Sequence, residues 1–273
     1  MSTIAAALAA ARQQIPAAEA SLLLAEASGR SRAWLIAHDD EALPDEVAQR
    51  FADWVMRRAV GEPVAYLIGW REFYGRRFVT APGVLIPRPE TELLVEQGLA
   101  AIASVSSPRI LDLGTGSGCI AVSLALERPD AEVWAVDFSA AALQIARTNA
   151  RALAATVSFV QADWSAPFGA GRFDLIVSNP PYIAPGDEHL SQGDLRFEPP
   201  SALAAAEAGM ADLRRIVAAA PSLLVPGGTL LCEHGYDQAA PIRALLTAAN
   251  FSVAQFTDLS GIIRVSGGVC GQG

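Results

Sequence analysis

Apolar and polar positions divide the chain into two stretches of different period. From residue 2 to about residue 68 the apolar positions recur at helical spacing. Residues 17–27 carry Ala, Leu and Glu on that repeat, and residues 46–60 place Val47, Phe51, Trp54 and Val55 on one stripe. The pattern breaks at Ser28-Gly29-Arg30, at Pro44 and at Gly61-Glu62-Pro63, where Gly and Pro interrupt a helix. Short amphipathic helices in a small helical domain are predicted, with Trp34 and Trp54 in its core.

Beyond this stretch the period shortens. The alternation in Arg77-Phe78-Val79-Thr80, then Ala81-Pro82-Gly83 and Val84-Leu85-Ile86, predicts a β-hairpin with a Pro-Gly turn. Arg88-Pro89-Glu90-Thr91-Glu92 opens a helix, with proline near the start and acids in the first turn. From Arg109 onward strands are predicted at 110–113, 132–136, 157–161, 174–178 and 229–233. Helices follow the first two and precede the fifth, which predicts an α/β fold on a parallel sheet. Residues 252–257 and 262–265, around a Leu-Ser-Gly turn, predict a closing antiparallel hairpin. The expected domains are a helical one over 1–72, a hairpin linker over 73–87 and the α/β domain over 88–273.

Composition narrows the setting. The 273 residues are 52% apolar and 18% charged, which suits a globular protein with a sizeable core. A net charge of -9 and a pI near 4.9 disfavour avid non-specific binding to nucleic acid. The richest basic stretch, Arg57, Arg58, Arg71, Arg76, Arg77 and Arg88, reads as solvated surface arginines. Cys119, Cys232 and Cys270 are widely separated with no metal-binding spacing, and they fit a reducing compartment as buried small hydrophobes. The first eleven residues lack the pattern of a signal peptide, and no apolar run reaches a membrane span. A cytoplasmic protein is expected.

Candidate chemistry gathers at predicted strand ends. The strand Ile110-Leu111-Asp112-Leu113 runs into Gly114, Thr115, Gly116, Ser117 and Gly118, then into a helix. Three glycines admit a ligand close to the backbone, and a helix N-terminus offers free N–H groups. By itself this turn is a weak signal, without GxGxxG spacing. Asp137 supports it, ending the next strand roughly 20 residues on, where an acid accepts both hydroxyls of a ribose. Asp163 ends the third strand and can accept from an adenine amino group, with Trp164 beside it to pack on the adenine.

The strongest signal is Asn179, Pro180, Pro181 and Tyr182, at the end of the strand 173–178. An amide or nucleobase amino nitrogen is a poor nucleophile because its lone pair is delocalised. It must be oriented and its hydrogens accepted, which the Asn179 side-chain oxygen and the Pro180 carbonyl can do. Two prolines stiffen the loop, and Tyr182 can stack on the planar group. S-adenosylmethionine, as a sulfonium, brings both methyl and driving charge, so no metal or dedicated base is required. His38, His189 and His234 show no metal-ligand spacing and read as structural or solvent-facing.

Taken together, these residues resemble the bacterial peptide chain release factor glutamine N5-methyltransferases, the PrmC/HemK family. The likeness covers nearly the whole chain. It includes Pro63-Val64-Ala65-Tyr66-Leu67-Ile68-Gly69 with Phe73-Tyr74-Gly75, the block Ile86-Pro87-Arg88-Pro89-Glu90-Thr91-Glu92, the Gly loop and residues 179–183. It continues through Arg196-Phe197-Glu198-Pro199, Pro226-Gly227-Gly228 and Glu233-His234-Gly235. The resemblance implies a class I, Rossmann-like methyltransferase sheet and transfer of methyl from S-adenosylmethionine to the glutamine of the Gly-Gly-Gln loop in class I release factors. Carried onto this chain, it implies that Gly114 to Gly118, Asp137, Trp164 and Asn179 contact the cofactor and that Asn179 to Tyr182 hold the glutamine. It implies that Arg88 and Glu92 lie near the site, without assigned roles, and that the helical domain helps dock the release factor.

Three other readings compete. A glutamine methyltransferase of a ribosomal protein shares the tetrapeptide, but the Pro-Arg-Pro-Glu-Thr-Glu block favours release factors. A nucleic-acid amino-methyltransferase is disfavoured by the acidic balance and the lack of an added recognition domain. A cofactor-binding module without catalysis would have little use for Asn179.

Overall fold

The computed structural model describes residues 2–271; Met1, Gln272 and Gly273, at the outer limits of the expected domains, lie outside the described residues. Two compact units are present, Met1–Trp70 and Arg71–Gly273.

The first unit holds α1 (Ile4–Ala11), α2 (Ala17–Ser28), α3 (Arg32–Ala37), α4 (Asp45–Ala59) and α5 (Val64–Ile68). Hydroxyls start two of them: Thr3 accepts from the Ala6 amide and Ser31 from the Trp34 amide, each at 3.2 Å. Pro16, Pro44 and Pro63 stand directly before α2, α4 and α5, where a missing N–H removes no helical bond. The expected stripe on α4 faces the core: Phe51 and Val55 are buried with Leu23 and Leu24, and Val47 and Trp54 pack against them. Trp34 is only partly buried. It stacks on His38 with ring centroids 4.2 Å apart, and Arg30 lies over its ring.

The hairpin expected within 73–87 falls earlier in the chain. β1 (Trp70–Phe73) pairs with β2 (Arg76–Val79) and turns at Tyr74-Gly75, both at positive φ as a type I′ turn requires. Residues 84–86 lie outside any strand. Their alternation reports burial of Val84 and Ile86, and the Ile86 N–H donates to the Glu198 carboxylate at 3.0 Å instead of to a ladder.

A 3-10 turn (Pro89–Thr91) leads into α6 (Glu92–Ala101). There follow β3 (Arg109–Leu113), α7 (Cys119–Glu127), β4 (Glu132–Asp137), α8 (Ala140–Ala152), β5 (Ser158–Gln161) and β6 (Phe173–Ser178). After a run of 3-10 turns come α9 (Ala206–Gly209), α10 (Ala211–Leu223), β7 (Leu224–Glu233), α11 (Ala239–Ala248), β8 (Phe251–Thr257) and β9 (Ile263–Cys270). The sheet order is β5-β4-β3-β6-β7-β9-β8, with β9 and β8 antiparallel and the other five strands parallel. This is the α/β sheet, parallel with a closing antiparallel hairpin, expected from the sequence.

Each central strand is buried on both faces. Ile110, Leu175 and Val177 pack with Leu94, Val95 and Ile120 of α6 and α7, whereas Leu111, Leu113 and Ile176 pack with Leu213 and Ile216 of α10. Truncating one such leucine to Ala costs about 2–5 kcal/mol, far more than any surface contact here. The chain runs outward from β3 to β5, then returns to place β6 on the other side of β3. The β3–β6 junction is therefore the topological switch point, whose carboxyl edge is where such sheets bind ligands.

Four arginines of the basic stretch are in ion pairs. Arg57 meets Glu62 at 2.6 Å, Arg58 meets Glu19 at 2.7 Å, Arg76 meets Glu127 at 2.6 Å and Arg88 pairs with Glu198. Among the described residues no helix is long and apolar enough to cross a membrane.

Candidate active site

Register builds the site. Leu113 of β3 lies opposite Ser178 of β6, and Ser178 lies opposite Cys232 of β7, so Gly114, Asn179 and Glu233 leave the sheet side by side. The Ser178 hydroxyl donates to the Leu113 carbonyl at 2.7 Å and ties the two strand ends together. A cavity of about 260 Å³ opens above them.

One side of the cavity is made of backbone. The Thr115 hydroxyl donates to Asp112 at 2.6 Å beneath the Gly loop. Burial pushes the Asp112 carboxyl up to about 7, against that hydrogen bond. Asp137 accepts from the Gly116 amide at 2.9 Å and the Ser139 amide at 2.8 Å, so it fixes the loop as well as facing the cavity. Burial still raises its carboxyl above the usual range. Nothing stands within 4 Å of where a Gly116 Cβ would be, so the loop leaves room for a ligand. A Cβ on Gly114 would approach the Trp164 ring to 3.1 Å, and Gly114 is what lets that indole close the wall.

Gly114, Thr115, Gly116, Ser117, Asp137, Asp163, Trp164, Asn179 and Pro181 all line the cavity. Gly118, Pro180 and Tyr182 do not. A Cβ on Gly118 would press on Ala146 at 3.0 Å, so this glycine packs the loop against α8. Asp163 is held by Arg215 at 2.7 Å, an exposed pair. Phe138, 59% exposed on the cavity wall, was not singled out by sequence; it directly follows the strand-ending acid, which is the signal that marks it.

The other side is made of side chains. The Asn179 Nδ2 donates to the Thr91 hydroxyl at 3.1 Å, while its Oδ1 is buried without a partner. Glu233, 2% exposed at the end of β7, leaves the sheet beside Asn179, and its Oε2 is likewise buried without a partner. Burial pushes its carboxyl up to about 7. The Tyr182 phenol is likewise raised by burial. The Tyr182 carbonyl accepts from Gln238 Nε2 at 2.9 Å, and Gln238 Oε1 accepts from the Gly235 amide at 2.9 Å. Gly209 presses on that carbonyl so closely that a Cβ would come within 2.0 Å of it, at φ +82. Glu207 and Ala208 reach this approach at positive φ.

The Pro-Arg-Pro-Glu-Thr-Glu block now has structural roles. Arg88 pairs with the buried Glu198, which anchors residues 193–199 beside the cavity. Glu92 accepts from the Tyr74 amide at 2.8 Å and secures the hairpin turn. Thr91 reaches Asn179. His234 is structural, with Nδ1 at 2.8 Å from the Gly235 carbonyl and Nε2 at 2.7 Å from the Ser266 hydroxyl; burial lowers its pKa.

Known proteins resemble this chain in sequence and in fold. Residues 78–194 match the methyltransferase small domain and residues 1–69 match the PrmC N-terminal domain. The release factor glutamine methyltransferase of Burkholderia pseudomallei is 53% identical, over 93% of this chain and 92% of its own length. That of Escherichia coli is 45% identical, over 86% and 85%. Among solved structures, a methyltransferase from Pyrococcus furiosus is alike in fold at 17% identity and a TM-score of 0.54, covering 82% of this chain and all of that one. A 16S rRNA N2 G1207 methyltransferase from Thermus thermophilus is alike in fold at 21% identity and a TM-score of 0.54, covering 74% and 49%. With that identity maintained across nearly its full length, the chain belongs to the release factor glutamine methyltransferases.

Proposed function

We propose that this enzyme transfers methyl from S-adenosyl-L-methionine to the side-chain nitrogen of the glutamine in the Gly-Gly-Gln loop of class I peptide chain release factors. One observation carries the reading: a buried amide oxygen, Asn179 Oδ1, lacks a partner at the sheet's ligand-binding edge. Leaving such an acceptor unmade costs about 1–3 kcal/mol, which a ligand N–H restores.

The residues present fit the cofactor. The loop Gly114, Thr115, Gly116, Ser117 and Gly118 leaves open space at Gly116, and Asp137 offers acceptor lone pairs to a ribose. Asp163, Trp164 and Phe138 would flank the adenine. The bound sulfonium supplies the methyl group and the positive charge that makes it electrophilic.

The chain's own task is orientation. Asn179 Oδ1 takes one amide hydrogen and the Pro180 carbonyl the other, which leaves the nitrogen lone pair pointing away from both acceptors. Pro180 and Pro181 restrict the backbone that holds these acceptors. Tyr182 does not line the cavity; its carbonyl, held by Gln238, fixes the end of the tetrapeptide. The helical unit over residues 1–72 docks the release factor, and the enzyme works in the cytoplasm, where termination takes place.

Labelled S-adenosylmethionine incubated with release factor tests this directly. Label should enter the normal factor and be absent from one whose loop glutamine is Ala. Label persisting on that variant, or entering a ribosomal protein or nucleic acid instead, would reject the substrate.

A further inference from the structure

At the downstream end of the tetrapeptide, three consecutive backbone groups are held. The Tyr182 carbonyl accepts from Gln238 Nε2 at 2.9 Å. The Ile183 amide donates to the Leu203 carbonyl at 2.9 Å, and the Ile183 carbonyl accepts from the Ala205 amide at 3.0 Å. Of the three, only the Tyr182 carbonyl depends on a side chain.

That side chain is used completely. Gln238 is 5% exposed. Its Oε1 accepts from the Gly235 amide at 2.9 Å, while Nε2 donates to the Tyr182 carbonyl at 2.9 Å and to the Ala208 carbonyl at 3.2 Å. The nitrogen end meets two acceptors and the oxygen end a donor, so the amide fits one way round. One NH₂ group joins two carbonyl oxygens that would otherwise repel each other.

The second carbonyl belongs to a strained turn. Glu207, Ala208 and Gly209 follow one another at φ +55, +54 and +82. Non-glycine residues keep such a conformation only where their surroundings impose it. Gly209 lies so near the Tyr182 carbonyl that no Cβ would fit. The chain thus bends to bring Ala208 and Gly209 beside the end of the tetrapeptide, and Gln238 closes the junction.

We infer that Gln238 is a positioning residue for methyl transfer, which sets the Pro180 carbonyl and the Asn179 amide by joining the Tyr182 and Ala208 carbonyls. This deepens the methyl-transfer reading and rests on it. The proline rings fix φ at residues 180 and 181, so few free torsions separate the held Tyr182 carbonyl from the two acceptors. Upstream, the Ser178 hydroxyl holds the other end through the Leu113 carbonyl. Misplacing a reacting group by about 1 Å costs about 100-fold in rate, so a loose downstream end is felt in turnover.

The test uses two variants of the full-length enzyme. Gln238→Glu keeps the shape and the acceptor for Gly235, but turns the donor end into an acceptor facing two carbonyls. Burial and those carbonyls raise this carboxyl above its ordinary value, and only its protonated form donates. The ratio of variant to wild-type kcat should therefore fall at least about 10-fold from about pH 5 to about pH 8, in protein still folded by circular dichroism. Asp237, His234, Glu207 and the Tyr182 phenol surround this position in both proteins, so the ratio isolates the new carboxyl. In Gln238→Leu, kcat should fall about 10- to 100-fold, with the Kd for S-adenosylmethionine within about threefold of wild type. A ratio that is flat with pH, or a Gln238→Leu enzyme with wild-type kcat, would overturn the inference. If Gln238→Leu does not fold, the Gln238→Glu profile decides. In ¹⁵N-labelled wild type, the Gln238 NH₂ pair, assigned by its loss in Gln238→Glu, should show two hydrogens protected from exchange; two freely exchanging hydrogens would also overturn it. The spectra need no substrate, so a wild type that leaves release factor unmethylated rejects the parent reading separately.

Discussion

The two sides of the cavity are built differently. The loop side uses backbone amides, a gap above Gly116 and one carboxylate, all from a strand, a turn and the next strand end. The acceptor side joins Thr91 and Asn179 from distant parts of the chain, with the Tyr182 carbonyl beyond them held by Gln238. A backbone cradle tolerates side-chain changes that preserve its turns. Side chains gathered from distant segments are sensitive to single substitutions, because each buried polar partner removed leaves another group unmade.

That contrast can be broken in order of expected effect. Asn179→Ala removes the acceptor and should lower kcat about 10²- to 10³-fold, as losing one preorganised partner does elsewhere. Cofactor binding, followed by calorimetry, should weaken only modestly. A loss of cofactor affinity as large as the loss of turnover would erase the distinction between the sides. Next, Gly209→Ala drives a methyl against the Tyr182 carbonyl at positive φ. It should cost about 1–3 kcal/mol of stability in denaturant titrations and displace the tetrapeptide. A variant of wild-type stability and turnover would mean the tetrapeptide is not braced from below.

On the loop side, Asp137→Ala should weaken cofactor binding by about 1.5–3 kcal/mol, the range for hydrogen bonds to a charged group, with kcat at saturation near normal. A collapse of kcat at saturating cofactor would place Asp137 in the wrong role. The smallest effect is a matter of pH. The Asp112 carboxyl sits above its ordinary value in the folded protein, at about 7. The native state thus binds its proton more tightly than the unfolded chain, and the stability linked to this group falls as pH rises from about 4 to about 7. Asp112→Asn should lose that fall, seen as a denaturant midpoint less dependent on pH than that of wild type. Parallel pH curves for the two proteins would contradict it.

The sequence made the loop side legible because its parts are close in the chain. Gly114 to Gly118 follow a strand directly, and Asp137 ends the next one. The tetrapeptide was equally plain, as two prolines after an apolar strand have few structural uses. Its supports were not. Thr91 reads locally as a helix-start residue and Glu233 as a strand end; Glu233 leaves the sheet beside Asn179 only because β6 pairs with β7 in one register, and Thr91 reaches Asn179 from 88 residues earlier in the chain. Strand order is not encoded in local periodicity, so the insertion of β9 between β7 and β8 was equally hidden. The misplaced hairpin has a related cause. Val84 and Ile86 alternate because tertiary packing buries them, and burial without a ladder looks the same in a sequence as burial within one. The arginines lie at the surface as expected, but two of their acidic partners were hidden because they lie elsewhere in the chain, Glu127 for Arg76 and Glu198 for Arg88.

The central claim is that one clamp, formed by Asn179 and the carbonyl after it, selects a glutamine side-chain nitrogen. Tandem mass spectrometry of a class I release factor incubated with S-adenosylmethionine and wild-type or Asn179→Ala enzyme tests it most directly. The account predicts one added methyl on the side chain of the Gly-Gly-Gln glutamine with wild type, and an unmodified factor with the variant even though the variant binds cofactor. Methyl found on any other residue, or on that glutamine at an undiminished rate with the variant, would contradict it.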